Sequence, residues 1–123
     1  MLPVKRSVSV GFFLSSWFIV ATAGPAIAQH IFWTDGLRNE IWTANFSGSN
    51  SRAIISSQPT SPESIAIDPV ERKVYWTLDG TVNQIRRANL DGTNVETVLD
   101  NGDGPNVIAI DIPRRKMYFG NEY

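Results

Sequence analysis

Two aspartates stand in like surroundings. Asp35 closes the run Phe32-Trp33-Thr34-Asp35, and Asp79 closes Tyr75-Trp76-Thr77-Leu78-Asp79, one 44-residue step later. A carboxylate pair can perform general acid–base chemistry when both groups face one substrate. Equivalent settings in two copies of a unit argue instead for one structural job done twice, the capping of a tight turn. Asp100-Asn101-Gly102-Asp103-Gly104 offers oxygen atoms of the kind calcium takes. An EF-hand loop needs acceptors at alternate positions and a distal Glu, and Gly102 and Gly104 fall where acceptors belong, so a tight turn is the better reading. His30 is the only histidine and cysteine is absent, which leaves a nucleophilic serine or cysteine without a credible general base. Asn45-Phe46-Ser47 fits the N-glycosylation acceptor pattern, but its counterpart Asn89-Leu90-Asp91 points to a turn. No catalytic residue, cofactor or metal ligand is expected.

The elements that must position these residues are short strands. Ser64 to Leu99 holds four apolar runs, Ser-Ile-Ala-Ile-Asp, Lys-Val-Tyr-Trp-Thr, Ile-Arg-Arg-Ala-Asn-Leu and Val-Glu-Thr-Val-Leu, separated by Pro69 to Arg72, Asp79-Gly80 and Asp91-Gly92. β-Branched and aromatic runs between such breakers read as antiparallel strands. No helical period is sustained. Nine strands are expected, at 30–35, 40–46, 52–56, 64–68, 73–78, 84–90, 95–100, 107–111 and 116–120.

The runs recur. Ile65-Ala66-Ile67-Asp68 returns as Ile108-Ala109-Ile110-Asp111, and Ile31-Phe32-Trp33-Thr34 returns as Val74-Tyr75-Trp76-Thr77 and Met117-Tyr118-Phe119-Gly120, each at a 43-residue step. A four-strand unit of this length is the mark of a propeller blade. Blade 1 is expected at about 30–56 without its opening strand, blade 2 at about 64–99, and the start of blade 3 at about 107–120. The fold class is all-β, about 2–2.5 blades of an incomplete propeller. Trp33 and Trp76, recurring at the period, are expected in the core between blades. Trp42, opposite Arg86 in the repeat, is the freer ring.

In one register, Phe32-Trp33-Thr34-Asp35, Tyr75-Trp76-Thr77 with Asp79, Ile-Ala-Ile-Asp and Ala-Asn-Leu-Asp-Gly resemble the YWTD repeat, the class B repeat of low-density lipoprotein receptors. The third copy departs from it, with Phe119, Gly120 and Asn121 in place of Trp, Thr and Asp. The resemblance implies a six-bladed propeller that binds other proteins on one face, in which the motif Asp ties neighbouring blades through backbone amides. It makes Trp33, Asp35, Tyr75, Trp76 and Asp79 structural motif residues. The face formed by the strand 2–3 turns and inter-blade loops then carries Arg38, Glu63, Ser64 and Asn106 as candidate ligand residues, for a protein or peptide partner.

Residues 1–28 read as a signal peptide: Lys5 and Arg6, an apolar run from Val8 to Ala23, a Gly24-Pro25 break and the cleavage pattern Ala26-Ile27-Ala28. The rival is a retained anchor, since Ser7 to Gln29 is uncharged; Pro25 and the small residues argue against it. Residues 29–123 then form the partial propeller, secreted or periplasmic, with 9 Lys and Arg against 12 Asp and Glu. So mixed a charge implies neither nucleic acid nor, after cleavage, a membrane partner. Arg86-Arg87 and Arg114-Arg115-Lys116 read as solvated strand edges. Without cysteine there is no disulfide framework, and the disulfide-rich EGF-like modules that flank such propellers in receptors are missing. The expected function is a non-catalytic binding or scaffold module. The alternatives are a fragment of a propeller-based hydrolase or lyase with its catalytic residues in other blades, and a receptor-like ectodomain. Two large apolar flanks imply further blades of a longer chain, or self-association.

Overall fold

The computed structural model describes residues 19–21, 30–100 and 103–121. Among them there are ten strands and no helix: β1 (Ile19–Ala21), β2 (His30–Asp35), β3 (Glu40–Asn45), β4 (Arg52–Ile55), β5 (Pro62–Asp68), β6 (Lys73–Leu78), β7 (Gln84–Asn89), β8 (Glu96–Asp100), β9 (Pro105–Asp111) and β10 (Lys116–Asn121). They form antiparallel sheets in chain order: β1-β2-β3-β4, then β5-β6-β7-β8, then the pair β9-β10. The architecture is that of an incomplete propeller. Nine strands fall where the residue pattern puts them, within two residues at each end. β5 and β9 start early, at Pro62 and Pro105, where a first strand residue needs no ladder N–H.

The first sheet differs from expectation. It has an opening strand: Ile19, Val20 and Ala21 pair with Trp33, Phe32 and Ile31. The physical reason is the exposed edge of β2, a row of backbone donors and acceptors that any extended segment within reach satisfies. The basic pair Lys5 and Arg6, the proposed cleavage site at 26–28 and residues Asn101 and Gly102 of the oxygen-rich loop lie outside the described residues.

The sheets pack face to face through alternate residues of each strand. Phe32, Ile41 and Ile55 of the first sheet meet Ile65, Ile67, Val74, Trp76, Leu78 and Ala88 of the second. The other side of the second sheet, with Ala66, Tyr75, Ile85 and Leu99, meets Ile108, Ile110 and Met117 of the third. Phe32 and Tyr75 are equivalent in the repeat and both face the following sheet; Trp76 faces the preceding one.

That polarity corrects the expectation for Trp33. Trp76 is completely buried, but Trp33 is only half-buried. No sheet covers that side of the first sheet among the described residues, so Trp33 stacks instead on its cross-strand neighbour Trp42, at 6.0 Å and 22° between rings. The indole N–H of Trp42 donates to Glu40 Oε2 at 2.7 Å.

Candidate functional site

Antiparallel pairing brings the β2–β3 turn, the β6–β7 turn and the starts of β5 and β9 to one end of the sheets. Arg38, Glu63 and Asn106 lie at this end. In β5, Pro62 pairs with Leu78 and Ile65 with Trp76, which leaves one extra residue around Glu63 and Ser64. In β9, Pro105 pairs with Asn121 and Val107 with Gly120, which leaves one around Asn106. Glu63 and Asn106 thus occupy corresponding bulges, devices that end pairing and re-aim a side chain.

Ser64 belongs to the interior. It is 3 % exposed, its N–H donates to Thr77 Oγ1 at 3.0 Å, and its Oγ accepts from Ile108 N at 3.2 Å. It joins the second sheet to the third and presents nothing to the end face. Arg38 is exposed, and its guanidinium donates through Nη1 to Asp35 Oδ2 at 2.7 Å.

Asp35 caps its own turn. Its Oδ1 accepts the amides of Leu37 and Arg38, each at 3.1 Å. Burial pushes the carboxyl pKa up, but the side chain and amide of Arg38 outweigh it and hold it below the ordinary value. Asp79 lies at the equivalent turn, where a Cβ on Gly104, in the loop entering the third sheet, would stand 2.8 Å from its Oδ1. Its backbone oxygen accepts from Thr60 Oγ1 at 3.3 Å. The two aspartates therefore serve separate turns in different sheets. The bonds of Asp35 stay within its turn, whereas the Asp79 carboxylate stands beside Gly104 of the loop entering the third sheet.

Asp68, part of the recurring Ile-Ala-Ile-Asp run, makes a tie to the third sheet that the residue pattern alone does not reveal. Its Oδ1 accepts the amides of Val70 and Glu71 at 2.9 and 3.0 Å, and its Oδ2 accepts from Arg115 Nη1, in the third sheet, at 2.8 Å. Arg115 also pairs with Glu71 through Nη2. Two further ties were missed. Gly92 sits at φ +90°, with the space of a Cβ taken by the backbone oxygen of Ile54. Gln58, in the loop between the first two sheets, accepts from Trp76 Nε1 at 3.1 Å and Arg86 Nη1 at 3.4 Å. The recurrence of Asp, Gly and Arg at fixed steps was the available signal.

Comparison with known proteins accords with this architecture. The family model "Low-density lipoprotein receptor repeat class B" matches residues 29–69, from β2 across the sheet boundary to β5. Residues 29–69 carry a class B repeat. The human low-density lipoprotein receptor-related protein 5-like protein is 27 % identical over 96 residues, which is 77 % of this chain and 38 % of that protein. Protein cueball of Drosophila sechellia is 34 % identical over 90 residues, 70 % of this chain and 13 % of the relative. Among solved structures, a chain of a nidogen/laminin complex superposes with a TM-score of 0.73 at 27 % identity, over 77 % of this chain and 37 % of that one. The chain thus spans well under half the length of each of these relatives.

Proposed function

We propose that this chain is an exported, non-catalytic protein-binding module whose class B repeats present one end of their sheets to a protein or peptide partner. The observation that carries the reading is the pair of corresponding bulges at Glu63 and Asn106, which open onto the end where the inter-sheet loops also emerge. Loops and irregular strand ends held on a rigid scaffold are where binding residues concentrate. The structural relative in complex with laminin supports a protein partner. Glu63, Asn106 and Arg38 are the contact residues of this reading; Ser64 holds the scaffold behind them.

Residues 1–28 act as the export signal, and cleavage after Ala28 removes β1 and leaves β2 as an edge strand. Further blades or a second copy then cover the apolar residues left open on the outer sheets, Phe46 at 67 % exposure and Tyr118 at 54 %.

The test is a selection of displayed peptides on the purified chain, followed by binding to variants. Loss of affinity on Glu63→Lys together with Asn106→Lys, with Asn94→Lys silent, supports the reading. Retained affinity on the double change, with loss on Asn94→Lys, places the partner at the opposite end. Recovery of the chain from the exporting cell with Met1 still present defeats the export assignment.

A further inference from the structure

The opposite end of the sheets holds two versions of one cleft. Between the second and third sheets it is small, about 70 Å³, and is lined by Asp68, Tyr75, Arg115 and Met117. Between the first and second sheets it is about 180 Å³, lined by His30, Phe32, Arg52, Arg72, Leu90 and Asp91. Phe32 is the repeat equivalent of Tyr75, and Arg72 of Arg115. Arg72 and Arg115 even share their unusual backbone, with φ of +56° and +55°, so both side chains leave the turn in the same direction.

The difference is a carboxylate. Arg115 pairs with Asp68, the last residue of β5, which stands opposite Lys73. In the first sheet the corresponding place, opposite His30, lies outside the described residues. Residues 1–34 hold no Asp or Glu. Among the described residues neither Arg72 nor Arg52 has a side-chain hydrogen bond or ion pair within 4.0 Å. Asp91, a carboxylate of the cleft, accepts at Oδ1 from the amide and hydroxyl of Thr93, and those bonds, with a smaller contribution from the charge of Arg52, hold its pKa below the ordinary value.

We infer that the cleft between the first two sheets is a binding site for an organic carboxylate with a short apolar tail, the acid on Arg72 and Arg52 and the tail against Phe32 and Leu90. Arginine forks match carboxylate geometry and keep their charge at every physiological pH, and Phe32 and Leu90 line the cleft beside them. The carboxylate comes either from a free organic acid or from the acidic side chain of an extended peptide. The site lies at the other end from Glu63 and Asn106, and stands independently of the proposed protein-binding face.

Calorimetry on the full chain tests this with three probes: 3-phenylpropionate, its neutral amide 3-phenylpropanamide, and the acetylated, amidated peptide Ile-Ala-Ile-Asp. Binding of 3-phenylpropionate about tenfold or more tighter than the amide is expected. Arg72→Gln should abolish that preference and Arg115→Gln should leave it. Asp91→Asn should strengthen binding by removing a competing charge, a gain that misfolding cannot mimic. Tighter binding of 3-phenylpropionate than of the peptide assigns a free acid, and the reverse assigns a peptide side chain. Equal affinity for acid and amide, an unchanged affinity in Arg72→Gln, or no binding of either acid overturns the inference.

Discussion

Arg115 reaches from the turn of the third sheet to the buried carboxylate of Asp68 in the second, 2.8 Å from Nη1 to Oδ2. The partners differ in exposure, 44 % for the arginine side chain against 2 % for the aspartate. Asp68 also holds two amides of its own turn, so the two halves of the pair are unequal. Asp68→Ala should cost about 3 kcal/mol, because it orphans two N–H groups and a guanidinium together. Arg115→Ala should cost only about 1 kcal/mol, since the aspartate keeps its amides. Urea midpoints of the two single variants and the double variant check this. Equal costs would show that Asp68 acts only as the partner of Arg115.

The recurring tryptophans should separate sharply. Trp76 is fully enclosed between two sheets and hydrogen-bonded to Gln58, so Trp76→Ala should cost about 3–5 kcal/mol. Trp33, stacked on Trp42 at the open side of the first sheet, should cost about 1–2 kcal/mol. Tryptophan fluorescence gives an independent reading: loss of Trp76 removes the blue-shifted, water-shielded component, and loss of Trp33 does not.

Gly48 and Gly92 close equivalent turns in the first and second sheets. Both have positive φ, +84° and +90°, but a Cβ at Gly48 meets open space and one at Gly92 meets the backbone of Ile54. Gly48→Ala should therefore cost about 1 kcal/mol, the strain of the left-handed backbone alone. Gly92→Ala adds an overpacking cost of about 1–3 kcal/mol and should loosen the first sheet from the second. Hydrogen exchange at the amides of β4 reads this out, and equal protection in both variants would remove Gly92 as an inter-sheet contact.

Acid should destabilise the fold. Burial raises the pKa of Asp35, the bonds from Arg38 and the Leu37 amide lower it by more, and the net is below the ordinary value of 3.8. The Arg114 side chain and amide likewise lower Asp111. A carboxyl with a folded-state pKa below its unfolded value adds stability that is complete above the unfolded value and lost as pH falls through the folded one. Stability should fall steadily below pH 3.8, and Asp35→Asn should be less stable at neutral pH with a shallower acid slope. A pH titration of the unfolding midpoint measures both.

Much of the fold was legible because its rules are local. Alternation of apolar residues, the breakers at Asp79-Gly80 and Asp91-Gly92, and the 43-residue return of Ile-Ala-Ile-Asp and Tyr-Trp-Thr placed nine strands, since a strand and its turn are set by neighbours in the chain. Alternation says that a strand has two faces and leaves open which neighbour each face meets. Tertiary packing decided that Trp76 is sealed and Trp33 is not, that Ser64 turns inward to Ile108 instead of outward beside Glu63, and that an apolar segment before His30 pairs with the edge of β2. It also made Asp68 the link to the next sheet: that bond joins residues 47 apart, and its geometry exists only when two sheets stack at one distance and angle. Arg72 carries the same lesson in reverse, because its side chain is the same as that of Arg115 but meets no acid in an ion pair among the described residues.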